Sequence, residues 1–276
     1  MRLQAQQRQM TKTEELYSDI MTLVKNLNLD LYVKDVFILE NEDASKTSLL
    51  PFFADGYPGI MFQQSENGVF RHPHNKLLSD FFLYGQTLVP IELAVAGAYR
   101  LIVFQLYPFA ARTLFGVNPK ELNDDCYDFN LLQNIDLQSI IKQLSNTSEV
   151  FSQAKIIATF LSDVLQQTLI DPNQKIQVAV NLILTSKGKI SVKTLTEKLH
   201  ITERTLQRQF IEYVGISPKQ LAKIIQFQSS LNLVSDEVFS RLTDIVYENG
   251  YADQSHFIRS FKKYTGRKPS AFKTPK

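Results

Sequence analysis

The chain has four histidines and one cysteine, the first residues to weigh for chemistry. His72 and His74 flank Pro73 and place two imidazoles in one turn. The other histidines, His200 and His256, lie far along the chain, and no carboxylate stands at a matching interval. A metal centre of three or four ligands is therefore not expected, and the pair is read as part of a loop. Cys126 follows Asp124 and Asp125 and has no His or basic neighbour in sequence to lower its thiol pKa. It is read as neither nucleophile nor redox sensor, and a single cysteine excludes an internal disulfide. No G-x-S-x-G, phosphate-loop or G-x-G-x-x-G pattern occurs. The expectation is a chain with no catalytic residue, no metal and no cofactor.

Another kind of chemistry is concentrated near the C-terminus. The stretch NGYADQSHFIRSFKKYTGRKP, residues 249–269, sets Lys262, Lys263, Arg267 and Lys268 among aromatics at helical spacing. The chain repeats this pattern 51 residues upstream, where LQRQFIEYVGISPKQL (206–221) lies over FIRSFKKYTGRKPSAF (257–272). Leu206 matches Phe257, Arg208 matches Arg259, Phe210 matches Phe261, Gly215 matches Gly266 and Pro218 matches Pro269. Thr202 matches Asp253, both good N-cap types. Each unit reads as a short helix, VKTLTEKL or RLTDIVYEN, then a tight turn at His200-Ile201 or Gly250, then a capped second helix. Two helices joined in this way form a helix-turn-helix, whose second helix enters the DNA major groove.

The helical wheel selects the side chains. Leu206 and Phe210, like Phe257 and Phe261, fall at i, i+4 and must face the unit's own core. Arg204, Gln207 and Arg208 then lie on the outer face of the first helix, and Gln254, Ser255, Ile258 and Arg259 on that of the second. Arg pairs with guanine O6 and N7 and Gln with adenine N6 and N7. His256 suits helix-start packing or a phosphate contact, and Lys262, Lys263, Arg267 and Lys268 suit phosphates, which carry no sequence information.

These elements must be positioned by the rest of the chain. TEELYSDIMTLVKNL (13–27) has one apolar helical face. Residues 31–106 contain short β-branched and aromatic runs, including LYVKDVFILE, GIMFQQ, FFLYG and YRLIVFQL, separated by turn clusters. A small barrel or sandwich fits this spacing. PFAARTLFG (108–116) reads as a short helix, and from about residue 131 the pattern is helical. The fold class expected is α+β: a β-rich domain over 1–130, a helical connector over 131–170 and an all-α domain over 171–276. The aromatics Phe52, Phe53, Tyr57, Phe62, Phe70, Phe81, Phe82, Tyr84 and Tyr99 fit either a β-domain core or a small-molecule pocket. Ile156, Ile157, Phe160, Leu161, Val164 and Leu165 give the helix 149–170 more apolar surface than one contact face needs, so dimerisation and internal packing both stay open.

Charge follows the same division. Residues 171–276 hold 17 Lys and Arg against 9 Asp and Glu, and residues 1–170 hold 13 against 19. The basic half suits a polyanion. With 44% hydrophobic and 21% charged residues, no apolar run of membrane length and no signal-peptide pattern, a soluble cytoplasmic protein is expected.

The span 172–274 resembles the AraC/XylS family of bacterial transcription regulators. Gly250, Tyr251, Phe257, Phe261, Lys262, Gly266, Pro269 and Ser270 stand at the spacing of that family's signature. The resemblance implies two helix-turn-helix units bridged by a long helix, here about 218–234, reading successive major-groove segments about 34 Å apart. The bridging helix departs from the pattern at Gln226, Ser229 and Ser230, and Val246 stands where a small residue is usual. The span 30–130 is loosely similar to the cupin-like or uncharacterised domain that precedes this module in some regulators. The expected protein is a sequence-specific DNA-binding regulator whose N-terminal half senses a small molecule or mediates homodimerisation, with RNA polymerase as a partner if it activates. The alternatives are a cupin-type enzyme, or an interaction module, carrying a DNA-binding domain.

Overall fold

The computed structural model describes residues 14–129, 137–168, 170, 173–235 and 242–272. The helix α1 (Glu14–Asn26) buries Ile20 and Val24. Among the described residues nine strands follow: β1 (Val33–Asn41), β2 (Thr47–Phe52), β3 (Gly59–Ser65), β4 (Val69–His72), β5 (Lys76–Leu77), β6 (Phe81–Tyr84), β7 (Ile91–Ala96), β8 (Tyr99–Leu106) and β9 (Cys126–Asp128). Two short helices, α2 (Ala110–Phe115) and α3 (Pro119–Leu122), separate β8 from β9, and Gly116 ends α2 at φ 67.

The strands form two antiparallel sheets, one ordered β1-β8-β3-β6-β9 and one ordered β2-β7-β4-β5. Both faces of the five-stranded sheet are covered, which explains why strands such as GIMFQQ carry few polar residues. On one face Val36, Phe104, Ile60 and Leu83 form a cross-strand row, and Ile38, Ile102, Phe62 and Phe81 form the next. This face joins the large helical core. The other face turns Leu39, Met61, Phe82, Leu101 and Val103 toward Leu50, Leu93 and Val95 of the smaller sheet. Alternation thus divides the aromatic run. Phe62 and Phe81 pack on helices, while Phe82 lies between the sheets.

The connector gives α4 (Leu137–Asn146) and α5 (Val150–Gln167); residues 131–136 of the expected connector lie outside the described residues. Ile157, Phe160, Leu161 and Val164 of α5 are buried in the helical core, and Phe160 meets Phe81 edge-on at 5.5 Å. The apolar surplus of this helix is largely taken up within the chain. The remaining elements are α6 (Gln174–Thr185), α7 (Val192–Leu199), α8 (Glu203–Val214), α9 (Pro218–Ser235), α10 (Leu242–Glu248), α11 (Gln254–Thr265) and a 3-10 turn, Pro269–Phe272.

Candidate nucleic-acid interface

In the first unit Ser191 caps α7 by accepting from the Thr194 N–H, and His200 ends that helix at φ 50. Thr202 then starts α8, accepting from the Thr205 N–H at 3.2 Å. Gly215 closes it at φ 83. Leu206 and Phe210 are fully buried, so the opposite face points outward. Arg204, Gln207 and Arg208 are all exposed. Two of them are held by carboxylates of the same helix. Gln207 donates to Glu203 at 3.0 Å, and Arg208 lies 3.5 Å from Glu212 at i, i+4.

The second unit repeats this construction with denser aromatic packing. Gly250 ends α10 at φ 72 and Asp253 caps α11 through the His256 N–H at 2.7 Å. Phe257 and Phe261 are buried, 5.6 Å apart and edge-on, and Phe261 meets Phe227 of the bridging helix at 5.6 Å. Gln254, Ser255 and Arg259 are exposed, as are Lys262, Lys263, Arg267 and Lys268. Lys263 sits over the Tyr264 ring at 5.0 Å. His256 is half-buried with its ring edge-on to Tyr251 at 5.4 Å, the helix-start packing position. Ile258, expected outward, is half-buried against the core, because its place on α11 brings it back toward the apolar stripe.

The bridging helix α9 begins at Pro218, within a residue of the expected bounds. Gln226 and Ser230, two of the three departures noted on this helix, bond to the second unit. Gln226 Nε2 donates to the Asn249 and Gly250 carbonyls at 2.8 and 3.2 Å, satisfying oxygens at the turn. Ser230 donates to the Tyr251 hydroxyl at 3.2 Å. Val246 is accommodated in the core at 4% exposure.

Sequence reasoning did not find how the β-domain grips the first unit. Gln86 Nε2 donates to the Val214 carbonyl at 2.5 Å and Asn123 Nδ2 to the Gly215 carbonyl at 3.0 Å. These are the orphan carbonyls at the C-terminal end of α8. A Cβ on Gly215 would lie 2.6 Å from the Pro119 backbone, whereas one on Gly266 would meet its nearest neighbour, Pro90, at an ordinary 3.7 Å.

Between the sheets and against α9 lies a cavity of about 530 Å³. Its interior is formed by Phe37, Met61, Phe82, Leu93 and Val103. One cross-strand row at its end is polar: Asp35, Gln105, Gly59, Tyr84 and Cys126 are successive partners across five strands. Gly59 has no side chain because a Cβ there would collide with the Tyr84 hydroxyl. Cys126 faces Arg71 and Lys76 in space, yet burial outweighs their charge and pushes its thiol up to about 11. It is no activated thiol. The helical C-terminal half contributes Leu184, Lys187, Ile225 and Gln228 to the same cavity. His72 ends β4 on the strand's outer face, and among the described residues no group of three or more His, Cys, Asp or Glu could hold a metal.

Comparison with known proteins supports both halves. Residues 195–274 match a helix-turn-helix domain model, and residues 26–128 match a domain of unknown function, DUF6597. The HTH-type transcriptional regulator RipA of Corynebacterium diphtheriae is 26% identical over 106 residues, covering 38% of this chain and 31% of RipA. The chain thus spans about a third of the length of that relative. ToxT of Vibrio cholerae aligns over 82% of this chain and 97% of its own, with 16% identity and a TM-score of 0.46. A probable AraC family regulator of Rhodopseudomonas palustris aligns over 36% of this chain and 94% of its own, at 25% identity and a TM-score of 0.34. The two capped helix-turn-helix units on one bridging helix lie almost wholly within the span that matches the helix-turn-helix domain model, and the two-sheet domain lies within the span that matches DUF6597.

Proposed function

We propose that this protein binds double-stranded DNA through residues 172–276 and regulates transcription, with the β-domain setting how the two helix-turn-helix units are presented. The observation that carries this reading is the pairing of two recognition helices, each with its apolar face buried and its Arg and Gln or Ser face exposed. Arg204, Gln207 and Arg208 on one helix and Gln254, Ser255 and Arg259 on the other contact base edges or backbone. Lys262, Lys263, Arg267 and Lys268 neutralise phosphates, and His256 supports the start of α11. Selection of binding fragments from random DNA by the full-length protein, followed by footprinting, tests this. Two protected major-groove segments one helical turn apart are expected. No enrichment at low salt would remove the reading.

The β-domain senses a small molecule in the cavity it shares with α9, because both halves line that cavity. An occupant that contacts both halves favours one arrangement over another and thereby alters DNA affinity. A ligand that binds only the native state raises the melting temperature, so a thermal-shift screen of apolar metabolites checks this. Among the described residues no helix is long and apolar enough to cross a membrane.

A further inference from the structure

The charged groups around the cavity are not equally satisfied. Arg71 donates through Nη1 to the Asp124 carbonyl at 2.5 Å and faces Asp125 at 3.5 Å, although its buried Nε has no hydrogen-bond partner among the described residues. Asp35 accepts from the Tyr17 hydroxyl at 2.8 Å and from the Val36 N–H. Asp55 accepts only from neutral donors, the Tyr57 N–H at 3.1 Å and Gln105 Nε2 at 2.9 Å, and among the described residues no cation forms an ion pair with it. Burial outweighs these hydrogen bonds and the nearby Lys34 charge and pushes this group up to about 7. The aromatic side chains Phe52, Phe53, Tyr57 and Tyr84 line the cavity with it. The Lys34 ammonium already lies 5.5 Å from the Tyr57 ring centroid, so this corner attracts an ammonium, and its charge acts on Asp55 without forming a hydrogen bond to it.

We propose that the cavity takes a hydrophobic amine, whose ammonium pairs with Asp55 and lies against the Tyr57 ring while its carbon skeleton fills the space between Phe37, Met61, Phe82 and Leu93. This rests on the small-molecule reading of the cavity given above and assigns its chemical class. An amine supplies a direct, hydrogen-bonded counter-charge and stacks on the aromatic faces at once. Lys34, half-buried at the mouth, swings toward solvent to admit it.

The same ion pair reaches the DNA-binding half. Asp55 lies in the loop 53–57, on which the bridging helix rests. The Ala54 carbonyl accepts from Gln228 Nε2 at 2.5 Å, Phe53 meets Phe272 edge-on at 5.6 Å, and a Cβ on Gly56 would lie 2.9 Å from Leu221. Fixing Asp55 therefore fixes the loop that supports α9, the helix between the two units.

The test is thermal denaturation of the full-length protein at about pH 8, where the Asp55 carboxylate prevails. Three probes share one skeleton: 4-phenylbutylamine, 4-phenylbutanol and 4-phenylbutyrate. The amine is expected to bind at least about tenfold tighter than the other two, and Asp55→Asn is expected to erase that preference. Tyr57→Leu keeps the carboxyl and removes the ring, and should weaken the amine several-fold should Asp55→Asn fold poorly. Equal or tighter binding of the alcohol or the carboxylate overturns the amine assignment but leaves a small-molecule sensor. An undiminished amine shift in Asp55→Asn also overturns it. Silence of all three probes overturns the assignment and the sensor reading together.

Discussion

The two helix-turn-helix units share one sequence repeat but differ in charge. The α8 segment ERTLQRQFIEYV balances two arginines with two glutamates, and those glutamates hold Gln207 and Arg208. The α11 segment QSHFIRSFKKYT has three basic residues and no acid, and Arg267 and Lys268 follow it. The 51-residue offset places Lys262, Lys263, Arg267 and Lys268 over Ile211, Glu212, Ile216 and Ser217. In the first unit that edge adjoins the surface where Pro119, Gln86 and Asn123 dock, and Ile216 is 3% exposed. Of the four matching positions in the first unit, Ile211 and Glu212 stay exposed and Ile216 is buried, whereas all four basic residues of the second unit are exposed. One repeated fold thus carries a rim of mixed character in one copy and a basic rim in the other.

The two units should differ most at their closing glycines. Gly215→Ala combines a left-handed backbone with a collision against Pro119 and should cost more than ~3 kcal/mol by denaturant unfolding. Gly266→Ala meets only backbone strain and should cost ~1 kcal/mol. Equal destabilisation would refute the asymmetric docking. Gln86→Ala leaves the Val214 carbonyl without its donor and should destabilise by ~1–3 kcal/mol, with an unchanged melting curve counting against the grip. On a selected operator, Arg208→Ala and Arg259→Ala should each remove ~1–3 kcal/mol of base discrimination, at different half-sites. A footprint unaltered at either half-site would reject base contact there. The smallest effect concerns salt. Alanine at Lys262, Lys263, Arg267 or Lys268 should lower the slope of log K against log salt by ~0.9 for each phosphate no longer neutralised, while Arg204→Ala should change it less. Equal changes would mean that both units share the phosphate work.

The sequence made the second unit legible almost residue by residue, because helical spacing, caps and turn glycines act within a dozen residues. Thr202, Asp253, Gly215 and Gly250 behave as local rules require. The division into a β-rich half and a helical half followed from the change of period from two to 3.6. Ile258 shows the limit of a wheel drawn without knowledge of what packs beside it. What stayed hidden joins residues far apart. Gln86 meets Val214 across 128 positions, and Gln228 meets Ala54 across 174. The polar row Asp35, Gln105, Gly59, Tyr84 and Cys126 exists only once strand register is fixed. Cys126 lacked a basic neighbour in sequence, yet Arg71 and Lys76 come near it through the sheets.

The grip of the β-domain on α8 also bears on the order in which the protein assembles. β1 pairs with β8 across some sixty positions, as in Glu40 with Arg100, while α10 and α11 close on neighbours within a few turns. Chains rich in local contacts fold in microseconds to milliseconds, and sandwiches in milliseconds to seconds. The second unit is therefore expected to acquire its aromatic core early, and the sheets to close late. The carbonyls of Val214 and Gly215 receive their donors only after that closure, so the first recognition helix is finished last, although it is the earlier of the two in the chain.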